Sequence, residues 1–170
     1  RVGRQLGGST VGIIGYGRIS RALAPLLAGL GMSVLVSDPY AQIDDRRFTK
    51  LPMDDLLARA EIITLHTPYN ADSHHLIGAA QLAQMKKTAI LIHAARGGVV
   101  DDAALIAALN DGTIAAAGLD VFENEPKFNP ELLKLRNVVL APHIASATTN
   151  TRRDMAMLAA EYDLPLWNFW

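Results

Sequence analysis

Short apolar segments of strand length alternate along this chain with longer amphipathic segments of helix length, and this alternation constrains the fold more than any other feature. The pattern predicts strands at residues 11–14, 34–36, 62–65, 89–92, 114–119 and 138–140. It predicts helices at residues 18–28, 79–85, 101–109 and 148–160, and a short helix that begins at Asp54. Apolar strands that alternate with helices are typical of a parallel sheet covered on both faces. We therefore expect a doubly wound α/β domain.

The bulk composition excludes several classes of function. The chain has 170 residues, of which 50% are apolar and 19% charged, as expected for one globular domain with a substantial core. Its net charge of −1 gives no electrostatic footprint for nucleic acid or an anionic membrane. No apolar run approaches the roughly 18 residues of a membrane span. The sequence has no cysteine, which favours a reducing compartment, so we expect a cytoplasmic protein.

The segment VGIIGYGRIS, residues 11–20, joins the first predicted strand to the first predicted helix. Gly15, Gly17 and Ser20 follow the spacing of a dinucleotide-binding loop. In such a loop the first glycine allows a tight turn, the second lets the backbone approach a pyrophosphate, and the third position serves helix packing. Ser20 adds only a hydroxymethyl group at the packing position. We predict a nucleotide site with the anion on the N–H groups of the helix start, and an ordinary strand-to-helix turn is the alternative.

Asp38 strengthens the prediction of a nucleotide site. It follows the second predicted strand, about 20 residues after the glycines, where a carboxylate accepts hydrogen bonds from ribose hydroxyls. The same carboxylate repels a 2′-phosphate, so NAD(H) is favoured over NADP(H). Arg46 and Arg47 lie downstream and leave NADP(H) open as the alternative.

Three candidate catalytic residues follow later predicted strands, at the edge of the sheet where open α/β domains bind ligands. Arg96 lies in a small glycine-flanked loop, where a guanidinium can clamp a substrate carboxylate. Glu125 and His143 follow the last two predicted strands. A carboxylate bonded to an imidazole favours imidazolium and orients it, which gives an acid for a ketone oxygen and a base for the reverse reaction. Taken singly, a surface arginine and a structural histidine are the alternatives.

The motifs around these residues resemble the NAD-binding domain of the D-isomer-specific 2-hydroxyacid dehydrogenases. The resemblance covers residues 6–161 and rests on GYGRIS (15–20), LHTP (65–68), MKKTAILI (85–92), AARGGVVD (94–101), GLDVFENEP (118–126) and LAPHI (140–144). It implies a Rossmann-type domain that transfers a hydride between NAD(H) and a small 2-oxo or 2-hydroxy acid. The segments FNPELL (128–133) and HIASAT (143–148) look like glyoxylate/hydroxypyruvate reductases, with a phosphoglycerate dehydrogenase as the alternative.

The resemblance also implies roles for individual residues. Arg96 would bind the 2-oxo acid, Glu125 would pair with His143, and Asp120 would contact the nicotinamide carboxamide. The cofactor-binding residues predicted from the loop and the resemblance together are Gly15, Gly17, Arg18, Ile19, Asp38, Thr67, Pro68, Ala94, Ala95, Arg96, Asp120, His143, Ala145 and Ser146. No metal is expected, because the adjacent His74 and His75 cannot easily bind one ion together.

Three features depart from the family pattern. Ser20 stands at the third glycine position, and His93 stands where asparagine is commoner. We expect Ser20 to affect only packing and His93 to perturb the substrate loop slightly. The aromatic tail at residues 162–170 does not resemble the family's continuation.

The resemblance also bears on domain organisation. Family members carry a second, substrate-binding domain, and this sequence has no counterpart of the long N-terminal segment that helps to build it. We therefore expect residues 1–170 to form a single dinucleotide-binding domain, excised or processed from a longer protein, that binds NAD(H) but turns over poorly alone. The resemblance suggests a homodimer. The alternatives are a non-enzymatic NAD-sensing module, similar to co-repressors that keep the same three residues, and an inert fragment.

Overall fold

The computed structural model describes residue 3 and residues 5–161 of the chain. Its strands are β1 (Thr10–Ile14), β2 (Ser33–Ser37), β3 (Phe48–Lys50), β4 (Ile62–Leu65), β5 (Ile90–His93), β6 (Ala116–Leu119) and β7 (Val138–Leu140). Its helices are α1 (Arg18–Gly29), α2 (Met53–Arg59), α3 (Ala79–Gln84), α4 (Asp102–Asp111) and α5 (Thr149–Glu161), with a 3₁₀ helix at Pro130–Lys134. The aromatic tail at residues 162–170 lies outside the described residues.

Every strand predicted from the sequence is present, with differences only at its ends. The largest difference is in β6, which begins at Ala116 because Ile114 donates its N–H to the carbonyl of Ala108 in α4. The sequence pattern missed β3, which has three residues, of which Thr49 and Lys50 are exposed. So short a strand leaves no apolar run or clear alternation to detect.

The strands form a parallel sheet in the order β3-β2-β1-β4-β5-β6-β7. Strand β1 pairs with β2 on one side and with β4 on the other, so the chain builds one half of the sheet and then returns to build the second half. Ligands of doubly wound domains bind beside such a reversal, at the carboxyl ends of the strands. The expected doubly wound, Rossmann-type α/β fold is confirmed.

Helices cover both faces of the sheet, because successive residues of a strand point to opposite faces. Val11 and Ile13 of β1 belong to an apolar cluster that includes Ala24 of α1. Ile14 belongs to the larger cluster on the other face, which includes Leu56 of α2 and also residues of α3 and α4. The sheet is therefore a fixed platform that holds the loops at its carboxyl edge.

The helices are connections between strands rather than long independent elements. The longest in the described residues is α5, with 13 residues. Helix α4 begins one residue after its predicted start, and Asp101 is its N-cap, whose side chain accepts a 3.0 Å hydrogen bond from the N–H of Ala104. It ends at Asp111, and the next residue, Gly112, has a φ of 75°. Within residues 3 and 5–161, no helix is both long and apolar enough to cross a membrane.

Candidate active site

The residues predicted to bind cofactor and substrate all follow the carboxyl ends of strands. After β1, β2 and β4 come Gly15, Gly17, Arg18, Ile19, Asp38, Thr67 and Pro68. After β5, β6 and β7 come Ala94, Ala95, Arg96, Asp120, Glu125, His143, Ala145 and Ser146. Backbone hydrogen bonds extend the pairing beyond the strand ends, such as the 2.8 Å bond from the N–H of Asp120 to the carbonyl of His93. The topology thus places both groups on one edge of the sheet.

The loop after β1 has the geometry of a phosphate-binding turn. Gly15 has a φ of 88°, and a side chain there would come within 2.9 Å of the backbone of His66. Gly17 has open space where a Cβ would lie, with no atom of residues 3 and 5–161 within 4 Å. Ser20 is fully buried and donates a 2.6 Å hydrogen bond from its hydroxyl to the carbonyl of Gly15. The serine at the third glycine position therefore fastens the turn and leaves the space above Gly17 open.

The first turn of α1 presents N–H groups that have no acceptor within the helix itself. Gly17 is the N-cap and supplies no side-chain hydrogen bond, and the first turn contains no acidic residue. Arg18 and Ile19 are exposed. Free N–H groups and the positive end of the helix dipole favour an anion such as a pyrophosphate at this position.

Asp38 is a fixed carboxylate at the end of β2. Its Oδ2 accepts a 2.7 Å hydrogen bond from the N–H of Tyr16, and its Oδ1 accepts bonds of 2.8 Å from the N–H groups of Tyr40 and Ala41. Burial by itself raises the pKa of Asp38, but the three backbone donors and the charge of Lys50 outweigh it, so the pKa is lowered. Asp38 is therefore an anion near neutral pH, and its oxygens keep lone pairs for ribose hydroxyls.

A cavity of about 760 Å³ lies between the loops that follow β1, β2 and β4. Its lining includes Gly15, Asp38, Met53, Thr67 and Pro68. The hydroxyl of Thr67 is buried and has no hydrogen-bond partner among the described residues. Because an orphaned buried hydroxyl is costly, it indicates a group that completes it. The open Gly17 turn, the fixed Asp38 and this hydroxyl fit a dinucleotide.

Arg96 lies in the loop after β5, in the segment at residues 94–98 that we call the Arg96 loop. Its side chain is exposed, and Nη1 donates a 2.7 Å hydrogen bond to the carbonyl of Ala95. Within the described part of the chain it makes no ion pair. The remaining N–H groups of the guanidinium are therefore available to a carboxylate ligand.

Glu125 and His143 form a hydrogen-bonded pair across the loops that follow β6 and β7. His143 Nδ1 lies 2.8 Å from Glu125 Oε2, and Glu125 Oε1 accepts a 2.7 Å bond from the N–H of Phe122. His143 has a φ of 53°, a left-handed conformation that non-glycine residues adopt infrequently. The carboxylate occupies one ring nitrogen and fixes the ring's orientation, which leaves Nε2 for a ligand.

Asp120 holds the segment that carries His143. It is 8% exposed, and its two carboxylate oxygens accept hydrogen bonds of 2.8 Å from the N–H of Ile144 and 2.7 Å from the N–H of Ala145. This connection between the ends of β6 and β7 was not expected from the sequence. The predicted contact of Asp120 with a nicotinamide carboxamide stays a prediction.

His93 ends β5 and lies three positions before Arg96. Its side chain is 1% exposed, and neither ring nitrogen has a hydrogen-bond partner in the described residues. Burial lowers the pKa of His93 to about 4, against smaller opposing effects of the Arg96 backbone and the charge of Glu125. The ring is therefore neutral at physiological pH. The sequence singled out His93 as a departure from the family, but it gave no sign of so complete a burial.

Sequence reasoning missed a second histidine contact near the site. His75 Nε2 lies 2.9 Å from Glu123 Oε1, and the ring of His75 stacks on that of His74 at a centroid distance of 3.9 Å. The sequence indicates for these two histidines only a polar loop that binds no metal ion. In residues 3 and 5–161, no group of three or more histidine, aspartate and glutamate side chains is arranged to hold a metal ion.

Comparisons with known proteins agree with this geometry. A family model described as the NAD-binding domain of D-isomer-specific 2-hydroxyacid dehydrogenases matches residues 1–145. The chain is 47% identical over 164 residues to a glyoxylate reductase of Thermococcus litoralis, and the match covers 94% of this chain and 49% of that protein. It is 51% identical over 158 residues to the glyoxylate/hydroxypyruvate reductase B of Erwinia tasmaniensis, covering 89% of this chain and 49% of that protein. The chain therefore spans about half the length of these relatives.

Solved structures give the same result. The structure of D-2-hydroxyisocaproate dehydrogenase superposes with a TM-score of 0.90 at 32% identity, covering 99% of this chain and 55% of that one. A D-isomer-specific 2-hydroxyacid dehydrogenase of Lactobacillus delbrueckii ssp. bulgaricus, in its NAD-complexed form, superposes with a TM-score of 0.87 at 35% identity, covering 94% and 53%.

Proposed function

Since the chain belongs to the D-isomer-specific 2-hydroxyacid dehydrogenase family and matches its NAD-binding domain, we propose that it serves the reduction of a small 2-oxo acid by NADH. The observation that carries this proposal is the 2.8 Å contact of His143 with Glu125, on the same sheet edge as an exposed Arg96 without an ion pair among the described residues. Glyoxylate and hydroxypyruvate are the proposed substrates, because the relatives named above are reductases of these acids.

The residues that would hold NADH are those of the nucleotide loop and its neighbours. The N–H groups at the start of α1 would bind the pyrophosphate above Gly17. Asp38 would accept hydrogen bonds from the ribose, and its charge opposes a 2′-phosphate, so NADH is preferred over NADPH. The buried hydroxyl of Thr67 would gain the partner that it lacks among the described residues. Bound NADH supplies the hydride that adds to the carbonyl carbon of the substrate.

Arg96 would bind and orient the substrate. Its free N–H groups can form two parallel hydrogen bonds with the carboxylate of a 2-oxo acid. The adjacent carbonyl is then held in one orientation, and the positive guanidinium stabilises the negative charge that develops on its oxygen.

His143 would supply the proton. With Nδ1 held by Glu125, Nε2 donates a proton to the carbonyl oxygen as that oxygen gains negative charge, and the product is a 2-hydroxy acid. In the reverse direction the neutral imidazole accepts the proton from the hydroxyl. Glu125 keeps the ring in the required orientation through both directions, because its other oxygen is anchored to the N–H of Phe122.

The state of the protein in the cell is part of the same proposal. We infer a cytoplasmic homodimer, which is supported by the family resemblance and by a cysteine-free sequence that favours a reducing compartment. Residues 1–170 would form one dinucleotide-binding domain that cooperates with a separate substrate-binding domain. Sedimentation of the chain at several concentrations measures its oligomeric state, and a purely monomeric profile would contradict the dimer.

The cofactor assignment is tested on the chain itself. Calorimetric titration with NADH is expected to show one site, with much weaker binding of NADPH. No heat of binding up to millimolar NADH would contradict the proposal.

The reaction is tested in a chimera in which this chain replaces the matching half of the Thermococcus litoralis glyoxylate reductase. The chimera is expected to oxidise NADH in the presence of glyoxylate. His143→Gln and Glu125→Gln should each lower kcat by about 10²- to 10⁴-fold, the range for loss of a general acid. Lys127→Gln, two positions after Glu125, is the matched control and should retain activity. Near-normal turnover of every 2-oxo acid by His143→Gln would contradict the role of His143.

A further inference from the structure

Residues 75–77 run parallel to residues 98–100 and are bonded to Gly98, the last residue of the Arg96 loop. The N–H of His75 donates to the carbonyl of Gly98 at 2.8 Å, and the N–H of Ile77 donates to the carbonyl of Val99 at 3.1 Å. Ile77 and Val100 form a parallel bridge. The position of His75 is therefore tied to the position of the Arg96 loop through the backbone.

The side chain of His75 reaches a second loop. We call the segment at residues 120–126 the Glu125 loop. His75 Nε2 lies 2.9 Å from Glu123 Oε1, and the imidazole is 34% exposed against 28% for Glu123. The N–H of Glu123 donates to Asp102 Oδ2 at 3.2 Å, so the residue is held from both its side chain and its backbone. Glu123 precedes Glu125, the partner of His143, by two positions.

The two loops also touch each other directly. A Cβ built on Gly97 would lie 1.8 Å from the carbonyl oxygen of Phe122. Such close backbone contact transmits a shift of one loop to the other, because packed backbone has no room to absorb it. His75 spans this contact from outside, with its backbone on the Arg96 loop and its ring on the Glu125 loop.

The backbone at both ends of the His75–Glu123 contact is held in an uncommon conformation. His75 has a φ of 49°, and Asn124, next to Glu123, has a φ of 61°. Left-handed conformations at non-glycine residues persist where the surrounding contacts hold them, and they concentrate at functional sites. The ring contact of His75 is one such restraint on the Glu125 loop.

We propose that His75 is a positioning residue that clamps the Arg96 loop to the Glu125 loop, and so fixes the distance between the substrate-binding guanidinium and the His143 imidazole. This inference rests on the proposed function, in which the two groups act on one small 2-oxo acid. A misplacement of about 1 Å between reacting groups lowers the rate by about 10²-fold, so a clamp outside the substrate contact has a large effect.

The first test uses the chain alone and needs no turnover. In His75→Asn, the asparagine can adopt the left-handed backbone conformation, but its side chain is too short to reach Glu123. NMR spectra of the histidine rings are expected to show the ring nitrogens of His143 shifting in this variant toward the values seen in Glu125→Ala, where the pair is lost. His74→Phe keeps the ring stack on His75 and is the matched control, expected to leave His143 unshifted. An unchanged His143 spectrum in His75→Asn, with NADH affinity and Tm also unchanged, would overturn the proposal.

The second test uses the glyoxylate reductase chimera. His75→Asn should lower kcat/KM for the 2-oxo acid by about 10²-fold, with a raised KM and an unchanged Kd for NADH. Glu123→Ala should have the same effect, the double variant should be no worse than either single one, and Glu123→Gln, which keeps a hydrogen bond to the ring, should restore most of the activity. A merely structural role would lower Tm and kcat together without this pattern.

The two tests separate the clamp from the reaction. If the parent chimera reduces no 2-oxo acid, the proposed function fails and the NMR result alone decides the clamp. If the parent chimera is active and His75→Asn matches it in KM and kcat, the clamp is wrong and the proposed function stands. If the effects of His75→Asn and Glu123→Ala add independently, the two residues do not act through each other and the clamp is also wrong.

Discussion

The hydroxyl of Ser20 donates a 2.6 Å hydrogen bond to the carbonyl of Gly15, and so joins the two ends of the nucleotide loop at residues 15–20. Ser20 is fully buried at the position where a dinucleotide loop usually has its third glycine. The serine therefore contributes to the fold of the loop, whereas the surface that faces the pyrophosphate is formed by Gly17 and the start of α1.

Ser20→Ala is expected to lower the free energy of unfolding by about 1 kcal/mol, because it removes one buried hydrogen bond. Ser20→Gly should cost up to about 2 kcal/mol, since glycine also adds flexibility within the first turn of α1. Both variants should keep the Kd for NADH within a few-fold. Urea unfolding and calorimetric titration measure the two effects, and a tenfold loss of affinity at unchanged stability would show that Ser20 acts on the cofactor instead.

Gly17 should show the opposite behaviour. A Cβ at this position would have no atom of the described residues within 4 Å, and the backbone φ of Gly17, −81°, suits any residue, so Gly17→Ala should fold normally. The added methyl group would occupy the space predicted for the pyrophosphate and should weaken NADH binding by about tenfold or more. Gly29→Ala, at the other end of α1 and also in open space, is the control and should leave the affinity unchanged. Equal affinities of the two variants for NADH would contradict the placement of the pyrophosphate at this loop.

Much of the fold follows from local patterns. The strands from β4 to β7 are short apolar runs, as expected of parallel strands in a sheet that is covered on both faces. Strand β3 and the 3₁₀ helix at Pro130–Lys134 were not predicted, because each is short and rich in polar or charged residues. Pairing with β2, rather than local composition, makes residues 48–50 a strand.

The candidate site is predictable where it depends on strand ends and motifs. The sequence placed Arg96, Glu125 and His143 after parallel strands, and the structure shows the contact of Glu125 with His143. The contact of His75 with Glu123 joins residues that are 48 positions apart in different loops, and no periodicity or spacing encodes such a pair. The complete burial of the His93 ring was equally hidden, because burial of a polar side chain depends on tertiary packing.

Asp38 should link cofactor choice to local stability. In Asp38→Asn the side-chain NH₂ would replace one oxygen and face a backbone N–H that this oxygen now binds. Because that N–H then has no acceptor, the free energy of unfolding should fall by about 1–3 kcal/mol. It should also bind NADH about tenfold more weakly and discriminate less against NADPH. Titration of the variant with both cofactors measures this. A variant that keeps the full preference for NADH would assign the preference to other residues.

The pKa of Asp38 adds a pH dependence to this prediction. Because the folded pKa is lowered below 3.8, the carboxylate stabilises the fold above pH 3.8, and this contribution is lost as the pH falls through the folded pKa. Asp38→Asn should remove this contribution of Asp38 to the loss of folding stability at acid pH. Urea unfolding of the variant and of the wild type at several pH values below 5 measures the difference.

His93 should make the fold sensitive to mildly acidic pH. Its pKa is about 4 in the folded protein, against an ordinary value of 6.5, because a charged imidazole is poorly solvated when buried. Between these values the unfolded chain binds a proton that the folded chain does not. Stability is therefore retained above pH 6.5 and falls as the pH drops toward 4, by about 3 kcal/mol in total. Below pH 4 the folded ring is protonated as well, and His93 adds no further loss.

His93→Leu should flatten this part of the curve, because the buried ionisable ring is replaced by an apolar side chain. Denaturant unfolding at pH values from 4 to 7 measures the slope. The pKa of His66 is also lowered by burial, so a dependence of the same sign should remain in His93→Leu and should disappear in the variant that also carries His66→Gln. His74→Gln, at an exposed ring, is the matched control and should keep the wild-type slope. If His93→Leu retained the full slope, the acid sensitivity would come from other groups, and a buried, neutral His93 at the end of β5 would be contradicted.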